Sequence, residues 1–237
     1  MKLTILMYHR VEAVPPDVVH RRNFVRPDQF DAQLAALRTW GYSSIGFADW
    51  LDYRARRQRL PRRPLIITFD DGYRSVETQA WPRLRAHGFG ATTFLVTDQI
   101  GGRNAWDPHE PQERLLSSEE IIALHRDGMQ FGSHSCTHRP LTRLSVAELE
   151  EELRHSRQAL ERVLDEPVHA FAYPFNGQNR VVRRAARDAG YLVAVRGAGR
   201  MNRRATDPLA LRRIHVHEGM SLRRLKWRLF RARWLHL

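Results

Sequence analysis

The sequence predicts an α/β fold, a barrel of mainly parallel strands with surrounding helices. Short runs that are apolar throughout alternate with segments of helical periodicity along the whole chain. Fully apolar strands are typical of a parallel sheet that is covered on both faces, and roughly seven strand–helix units favour a barrel over a small open sheet. With 237 residues, 42% of them hydrophobic, the chain is expected to form a single domain over 1–237.

The predicted strands come from apolar, often β-branched runs, of which the clearest follows Pro64. In chain order they are 3–7, 65–69, 91–96, 129–132, 168–173, 191–195 and 211–216. The predicted helices have apolar residues three or four positions apart and recognisable ends, such as the capping-box pair Ser145 and Glu148 and the terminating Gly128. They are 29–40, 76–87, 118–127, 145–164, 179–189 and 221–234.

The composition excludes several classes of protein. No run approaches the roughly 18 apolar residues of a membrane-spanning helix. The single cysteine, Cys136, excludes an intramolecular disulfide framework and a cysteine-rich zinc module. The first residues lack the apolar segment and cleavage site of a signal peptide, so we expect a cytoplasmic protein.

The formal net charge of +13 is unusual and suits either an anionic partner or a biased codon usage. The basic C-terminal segment 221–237 combines arginine and tryptophan without acidic residues, a pattern typical of a helix on an anionic membrane surface. The alternative is the last helix of the barrel, which would bury its apolar side. Nucleic-acid binding is disfavoured because no groove-reading motif accompanies the charge. The residues expected to contact a membrane are Arg223, Arg224, Arg228, Arg231, Trp227 and Trp234.

Two adjacent carboxylates, Asp70 and Asp71, follow the strand 65–69 and precede Gly72. Catalytic groups of parallel barrels lie at this end of the strands. Neighbours in a regular strand point to opposite faces, so both aspartates reach one site only if the strand breaks, as Gly72 permits. At about 5 Å they would repel by roughly 3 kcal/mol at an effective dielectric near 20, and a cation would offset this. The plainer interpretation is a loop with a helix-capping aspartate.

A pair of histidines, His134 and His138, follows the short strand 129–132. On a helical turn this spacing places both imidazoles on one face, within reach of one metal ion. Cys136 lies between them and is expected to be a packing residue. One aspartate and two histidines give three ligands with an open position, as in catalytic metal sites. The second aspartate is then free to act as a base on water, as amide or ester hydrolysis requires.

These motifs carry a family resemblance. Thr68-Phe-Asp-Asp-Gly72, followed by His134-Ser-Cys-Thr-His138, resembles the polysaccharide deacetylases of the NodB-homology group, carbohydrate esterase family 4. The resemblance implies that the fold is a distorted (β/α)7 barrel. It also implies that Asp70 is the general base and that Asp71, His134 and His138 bind one divalent metal ion. Zinc is the expected ion, with cobalt, nickel, manganese or iron as alternatives.

The third motif departs from the commonest family pattern. The arginine that would orient the catalytic aspartate is replaced by Ala172, which leaves open what orients Asp70. Phe175 stands where the family often has tyrosine, and its backbone N–H is expected to stabilise the oxyanion. The variant resembles the branch that includes poly-N-acetylglucosamine deacetylases. The residues expected at the substrate and the oxyanion are Tyr173, Pro174, Phe175 and Asn176.

The general acid that protonates the leaving amine has several candidates. The first is His9, which follows the first strand as in the same branch of the family. His215 and His217 are the alternatives, because the last family motif often carries a histidine. Three residues after the strand 91–96 are expected to line a sugar cleft: Asp98, Trp106 and Asp107.

Together these residues indicate a metal-dependent N-deacetylase acting on an N-acetylated amino sugar in a glycan or a lipid-linked precursor. A deformylase or other amide hydrolase on the same scaffold is the alternative among enzymes. A glycan-binding pseudoenzyme at the membrane surface is the alternative among binding proteins, although such a module would not need Asp70, Asp71, His134 and His138 together. A cytoplasmic enzyme of this class would meet a precursor at the inner membrane face.

Overall fold

The structure is a computed structural model that describes residues 1–234 of the chain. Its strands are β1 (Lys2–Tyr8), β2 (Arg10–Val11), β3 (Phe24–Val25), β4 (Ser43–Ser44), β5 (Pro64–Phe69), β6 (Thr92–Leu95), β7 (Gln130–Ser133), β8 (Ala170–Ala172), β9 (Val193–Gly197), β10 (Asn202–Arg203) and β11 (Leu211–His215). Its helices are α1 (Pro27–Thr39), α2 (Phe47–Arg54), α3 (Trp81–Ala86), α4 (Ser118–Arg126), α5 (Val146–Leu164), α6 (Arg180–Asp188) and α7 (Leu222–Trp234).

Seven parallel strands close into a barrel, which confirms the predicted (β/α)7 architecture. The strands follow the order β1-β11-β9-β8-β7-β6-β5, and β5 pairs again with β1 to complete the ring. The closing pair is long, from Thr4 opposite Leu65 to Tyr8 opposite Phe69. The two-residue strands β4 and β10 extend the sheet beside β5 and β1.

Alternation along each strand separates two hydrophobic clusters. The cluster inside the barrel contains Leu3, Ile5, Ile66 and Leu211, whereas their neighbours along the strands pack outward against the helices. Continuing the same alternation places Arg213 and His215 of β11, and Asp70 beyond β5, on the inner side. The barrel therefore carries its polar groups inside, at the ends of strands that begin with apolar residues.

All seven predicted barrel strands are present, within one or two residues at most ends. The helix predicted at 76–87 begins instead as a π-helical turn, Val76–Ala80, and continues as α3. Helix α2 and the two-residue strands were not predicted, because each is too short for a pattern to stand out. Positions 235–237 of the predicted basic C-terminal segment lie outside the described residues. Within residues 1–234, no helix combines the length and apolar character needed to cross a membrane.

Helix α7 packs on the barrel through one face only. Leu225 and Leu229 are buried, with 0% and 3% exposure, whereas Trp227 and Phe230 are 54% and 59% exposed. Part of the apolar character of this helix is therefore used in the core, as the barrel-helix alternative predicts. The other part remains at the surface. The side chain of Trp234 lies outside the described part of the chain.

Candidate active site

The residues predicted to carry the chemistry meet in one cavity of about 240 Å³ at the carboxyl ends of the barrel strands. Three of the residues that line it are exposed, namely His20, Phe175 and Asn176, and the others are buried or partly buried. The full lining consists of Met7, His9, His20, Asn23, Asp70, Asp71, Asp107, His134, His138, Tyr173, Phe175, Asn176 and His215.

Three side chains in this cavity form a cluster that could hold a metal ion. Oδ1 of Asp71 lies 3.5 Å from Nε2 of His134 and 3.5 Å from Nε2 of His138. All three residues are buried, and their ligand atoms lie within 4.8 Å of one another. A set of two imidazole nitrogens and one carboxylate oxygen suits zinc and related divalent ions.

The backbone brings these three residues together through unusual conformations. Asp71 and Gly72 both have positive φ, 74° and 80°, so the chain breaks directly after Asp70 and both carboxylates reach the cavity. The prediction of a helical turn between the histidines is wrong, because residues 134–138 form an irregular loop. Ser135 and His138 lie in the left-handed region, with φ of 70° and 62°, and this turns both imidazoles to one side.

The protonation chemistry of the cluster fits a bound cation. Nδ1 of His134 donates a hydrogen bond of 2.7 Å to the Ala172 carbonyl, which leaves Nε2 with its lone pair toward Asp71. Burial lowers the pKa of both His134 and His138, so both rings favour the neutral form that binds metals. Burial, reinforced by the neighbouring Asp70 carboxylate, raises the pKa of Asp71. A divalent ion would stabilise the ionised form of this carboxylate.

A buried glutamate that the sequence analysis missed supports the histidine loop. Oε2 of Glu152, on α5, accepts hydrogen bonds from the backbone N–H groups of Cys136 and Thr137 at 2.9 and 3.0 Å. Its other oxygen accepts from the Thr137 hydroxyl. Glu152 is 5% exposed, so its carboxyl oxygens are satisfied by the loop rather than by solvent. Cys136 is buried, and its thiol donates to the Glu152 carbonyl.

Arg213 occupies the role that the sequence left open at Ala172. Its Nη1 and Nη2 each donate a 2.6 Å hydrogen bond to one carboxylate oxygen of Asp70, and Nη1 also donates to the Thr68 hydroxyl. Arg213 is fully buried. Burial alone would raise the pKa of Asp70, but the Arg213 guanidinium, together with His134, holds it below its usual range. Asp70 is therefore ionised and fixed in orientation.

Of the residues 173–176 that were expected at the substrate, three line the cavity and one does not. Phe175 lines the cavity with φ of 53°, and its ring contacts the His138 ring edge to face at 4.7 Å. Asn176, at φ of 60°, adopts the left-handed conformation that its residue type tolerates, and its side-chain oxygen accepts from the Gly197 N–H. Pro174 is buried and is not among the lining residues. The Tyr173 hydroxyl donates to the Leu209 carbonyl at 2.8 Å, so it is directed away from a substrate.

The candidate acids separate into two groups. His9 and His215 both line the cavity, and their rings lie 5.3 Å apart. Burial lowers the pKa of His9 to about 3 and that of His215 to about 4, so both are neutral near pH 7. His217 is not among the lining residues, and its Nδ1 donates to the Glu218 carbonyl at 2.5 Å.

The loop between β6 and α4 forms another wall of the site. Asp107 lines the cavity, and the Trp106 ring packs against the His138 ring at 4.8 Å. Asp98 is exposed and is not among the lining residues. The sequence analysis did not single out His20, which lines the cavity from the loop after β2. A lone histidine in an irregular loop carries no pattern that would have revealed it.

With the barrel and this cavity described, comparison with known proteins gives the family. The sequence profile of the polysaccharide deacetylase family matches residues 57–194, more than half of the chain. The chain therefore belongs to the polysaccharide deacetylase family, as the two motifs predicted. The matched span contains Asp70, Asp71, His134 and His138.

Individual relatives are distant. YxkH of Bacillus subtilis (strain 168) is 25% identical over 220 residues, which are 93% of this chain and 73% of that protein. The poly-β-1,6-N-acetyl-D-glucosamine N-deacetylase of Staphylococcus aureus (strain N315) is 24% identical over 166 residues. That match spans 65% of this chain but only about half, 54%, of the S. aureus protein.

The fold is shared with solved structures over nearly its whole length. The deacetylase PplD of Streptococcus pyogenes, solved in complex with acetate, superposes with a TM-score of 0.85 at 24% identity, covering 96% of this chain and 97% of that chain. IcaB of Ammonifex degensii superposes with a TM-score of 0.82 at 22% identity, covering 98% and 97%. At these identities the likeness establishes the fold.

Proposed function

We propose that the protein is a metal-dependent N-deacetylase that removes the acetyl group from an N-acetylated amino sugar of a glycan or glycan precursor. The observation that carries the proposal is the pairing, in one cavity, of the Asp71, His134 and His138 cluster with an ionised Asp70 held by Arg213. Membership of the polysaccharide deacetylase family supports the substrate class.

The three clustered residues would hold one divalent ion, with zinc favoured by the two imidazoles and the carboxylate. When bound, such an ion supplies Lewis acidity that polarises the amide carbonyl and makes water easier to deprotonate. Asp70 accepts the proton from the attacking water. Its orientation is set by Arg213, and it remains free of the metal-ligand role assigned to Asp71.

The remaining roles are proposed for other residues that line the cavity. The backbone N–H of Phe175 stabilises the oxyanion that forms when water adds to the acetyl carbonyl. The amide C–N bond then breaks, acetate leaves with the oxygen of water, and the sugar nitrogen takes up the proton. His9 delivers that proton, with His215 beside it as the alternative. Because both rings are neutral in the free protein, the proton they pass on is the one that Asp70 has taken from water.

Acetate release tests this function directly. The protein is incubated with a β-1,6-linked N-acetylglucosamine pentamer and a panel of other N-acetylated glycans and lipid-linked sugars. We expect acetate from at least one of them, loss of activity after treatment with a chelator, and recovery on adding zinc, cobalt, nickel, manganese or iron. Formate release from an N-formyl sugar in place of acetate would contradict the proposal, as would full activity in the chelated protein.

We also propose that α7 attaches the protein to an anionic membrane surface as a peripheral protein at the inner membrane face. Among the described side chains of this helix, Trp227 and Phe230 are the most exposed large apolar ones. The Arg231 guanidinium lies 5.2 Å from the centre of the Trp227 ring. Each arginine near an anionic surface contributes about 1 kcal/mol, and exposed tryptophan favours the interface. Arg228 is partly engaged, because it donates to the His215 carbonyl.

Co-sedimentation with liposomes tests the attachment. We expect binding to vesicles that contain anionic phospholipid at low salt, weaker binding at high salt, and no binding to neutral vesicles. Replacing Trp227 and Phe230 together by alanine should weaken binding. The matched control replaces Val181 and Leu192, which are also exposed, and should change nothing. If the Trp227 and Phe230 variant bound anionic vesicles as well as the control variant and the wild type, α7 would be ruled out as the anchor.

A further inference from the structure

A histidine and a buried glutamate join two loops at the cavity. Both the backbone N–H and the ring Nδ1 of His20 lie 2.6 Å from Oε1 of Glu110. The two residues are 90 positions apart in the chain, so the contact depends on the fold. The His20 side chain is 57% exposed, whereas the Glu110 side chain is only 3% exposed. An exposed imidazole is thus anchored on a carboxylate that solvent hardly reaches.

The loop that carries Glu110 is held together by its own hydrogen bonds. The buried Asn104 side chain donates to the Pro111 carbonyl and accepts from the Glu113 N–H at 2.7 Å. The Gln112 amide donates to the Asp107 and Glu110 carbonyls at 3.0 and 3.1 Å. Glu110 is therefore positioned before any ligand arrives, and it fixes the place of His20 in turn.

This anchoring determines what His20 offers to a ligand. Because Nδ1 donates to the carboxylate, Nε2 is the ring atom left for another partner. His20 lines the same cavity as Asp70 and Asp71, but it belongs to the exposed rim, whereas both aspartates are buried. A group at the rim contacts parts of a substrate that extend beyond the reacting bond. A sugar hydroxyl can donate to Nε2 when the ring is neutral and accept from it when the ring is charged.

We propose that His20, held by Glu110, forms a sugar-binding subsite for a residue of the glycan that neighbours the one being deacetylated. The inference rests on the proposed function and deepens it, since it makes the protein select oligosaccharides over single sugars. His20 binds a hydroxyl group, and Glu110 is a positioning residue that does not itself touch the substrate. Both act on substrate binding, while the bond-breaking groups remain those deep in the cavity.

Chain-length dependence tests the subsite. The substrates are the β-1,6-linked N-acetylglucosamine pentamer and free N-acetylglucosamine. For His20→Ala we expect KM for the pentamer to rise about 3- to 10-fold, the effect of losing one hydrogen bond, with kcat changed less than about 3-fold. Values of kcat/KM for the single sugar should stay as in the wild type. His20→Gln, which keeps a hydrogen-bonding group, should recover part of the pentamer affinity.

Three comparisons complete the test. Glu110→Ala should raise the pentamer KM in the same direction, and the double variant should add little to His20→Ala because the pair acts as a unit. His155→Ala is the matched control, since His155 also faces a glutamate, Glu151 at 3.6 Å, but on the surface of α5. Equal losses with both substrates, or no change for the pentamer, would overturn the subsite.

A binding measurement separates this inference from the proposed function. An Asp70→Asn background should bind the pentamer without cleaving it. In that background, His20→Ala should raise the pentamer Kd by the same factor by which it raises KM. If the wild type releases no acetate from any substrate, the proposed function fails while this binding arm still decides the subsite. An unchanged Kd alongside normal acetate release would refute the subsite alone.

Discussion

Arg213 and Asp70 stand 143 positions apart in the chain and meet through two parallel hydrogen bonds of 2.6 Å inside the barrel. The small side chain of Ala172, on the second strand from β11, is also fully buried in this interior. An arginine from the last barrel strand therefore meets the aspartate that an arginine at position 172 would meet in the commoner pattern. Asp70 therefore has an arginine partner in this chain too, although that arginine comes from a different position in the sequence.

Replacing Arg213 by methionine should reduce both activity and stability. The variant leaves the Asp70 carboxylate buried without its partner, and breaking such a pair costs about 3–5 kcal/mol. We expect a lower free energy of unfolding in urea and at least a 10-fold loss in kcat, because the base loses its orientation and its pKa rises.

Arg213→Lys and Arg212→Met serve as comparisons for this variant. Lysine keeps the charge but loses the two-pronged geometry, so intermediate stability and activity are expected. Arg212 is the preceding residue of β11 and points to the other side of the strand, so its replacement should have little effect on kcat. A normal kcat in Arg213→Met would show that Asp70 needs no partner.

Substitutions of Asp70 and Asp71 should have different effects, because Asp70 is proposed as the base and Asp71 as a metal ligand. Asp70→Asn is expected to retain the bound metal, measured by mass spectrometry of the purified protein, while kcat falls by at least about 100-fold. Asp71→Ala is expected to lose the metal, because it removes one of three ligands. Equal metal loss in both variants would mean that these roles are wrongly assigned.

Glu152 should control metal affinity without contacting the ion. Glu152→Ala removes the acceptor for two backbone N–H groups of the histidine loop, so we expect metal affinity to fall about 10- to 100-fold in a competition assay with a chelating dye. Glu151 is the adjacent, exposed residue of α5, and Glu151→Ala should leave the affinity as in the wild type. Unchanged affinity in Glu152→Ala would show that the loop holds its shape unaided.

His215 should lower the stability of the metal-free protein, prepared with a chelator, at acidic pH. Burial, followed by nearby positive groups, lowers its pKa to about 4 from an ordinary value of 6.5. Between these values the unfolded chain binds a proton that the folded protein does not, so stability is lost as the pH falls from about 6.5 toward about 4. His215→Asn removes this loss. In urea titrations, the free energy of unfolding of the variant should rise relative to that of the wild type as the pH is lowered.

Exposed His155 provides the comparison for that pH series. His155→Asn should follow the wild-type curve at every pH, because this ring lies at the surface of α5. A constant difference between His215→Asn and the wild type across the whole range would contradict the assignment of a buried neutral ring.

The barrel was predictable because its strands are continuous apolar runs, of which Pro64–Phe69 is the clearest. Asp70 and Asp71 were recognisable because they follow such a run, and the histidines because of their spacing. Helix α2 was missed, since it has only eight residues and is followed by the arginines at 56, 57 and 59. The two-residue strands contain too few residues for any periodicity to show.

The missed site residues depend on contacts between distant parts of the chain. Arg213 stands beside Arg212 in the sequence, and only strand alternation, once Leu211 is known to face inward, separates the two. Glu152 lies three residues after Leu149 and directly before Leu153, so helical spacing places it on the buried face of α5. That spacing does not reveal that its partners are the backbone N–H groups of the histidine loop. The His20–Glu110 contact joins two irregular loops. Its residues have no spacing that could be recognised before folding.

Backbone strain is concentrated around the cavity. Among the described residues, seven non-glycine positions have positive φ, and the three loops of the site contain five of them: Asp71, Ser135, His138, Phe175 and Asn176. Such conformations cost on the order of 1–3 kcal/mol each, least for asparagine. A selection for heat resistance alone should therefore favour glycine at Phe175, which relieves a strained aromatic residue and removes its ring from His138. In protein engineering, this loop would be the first place where thermal tolerance and turnover come into conflict.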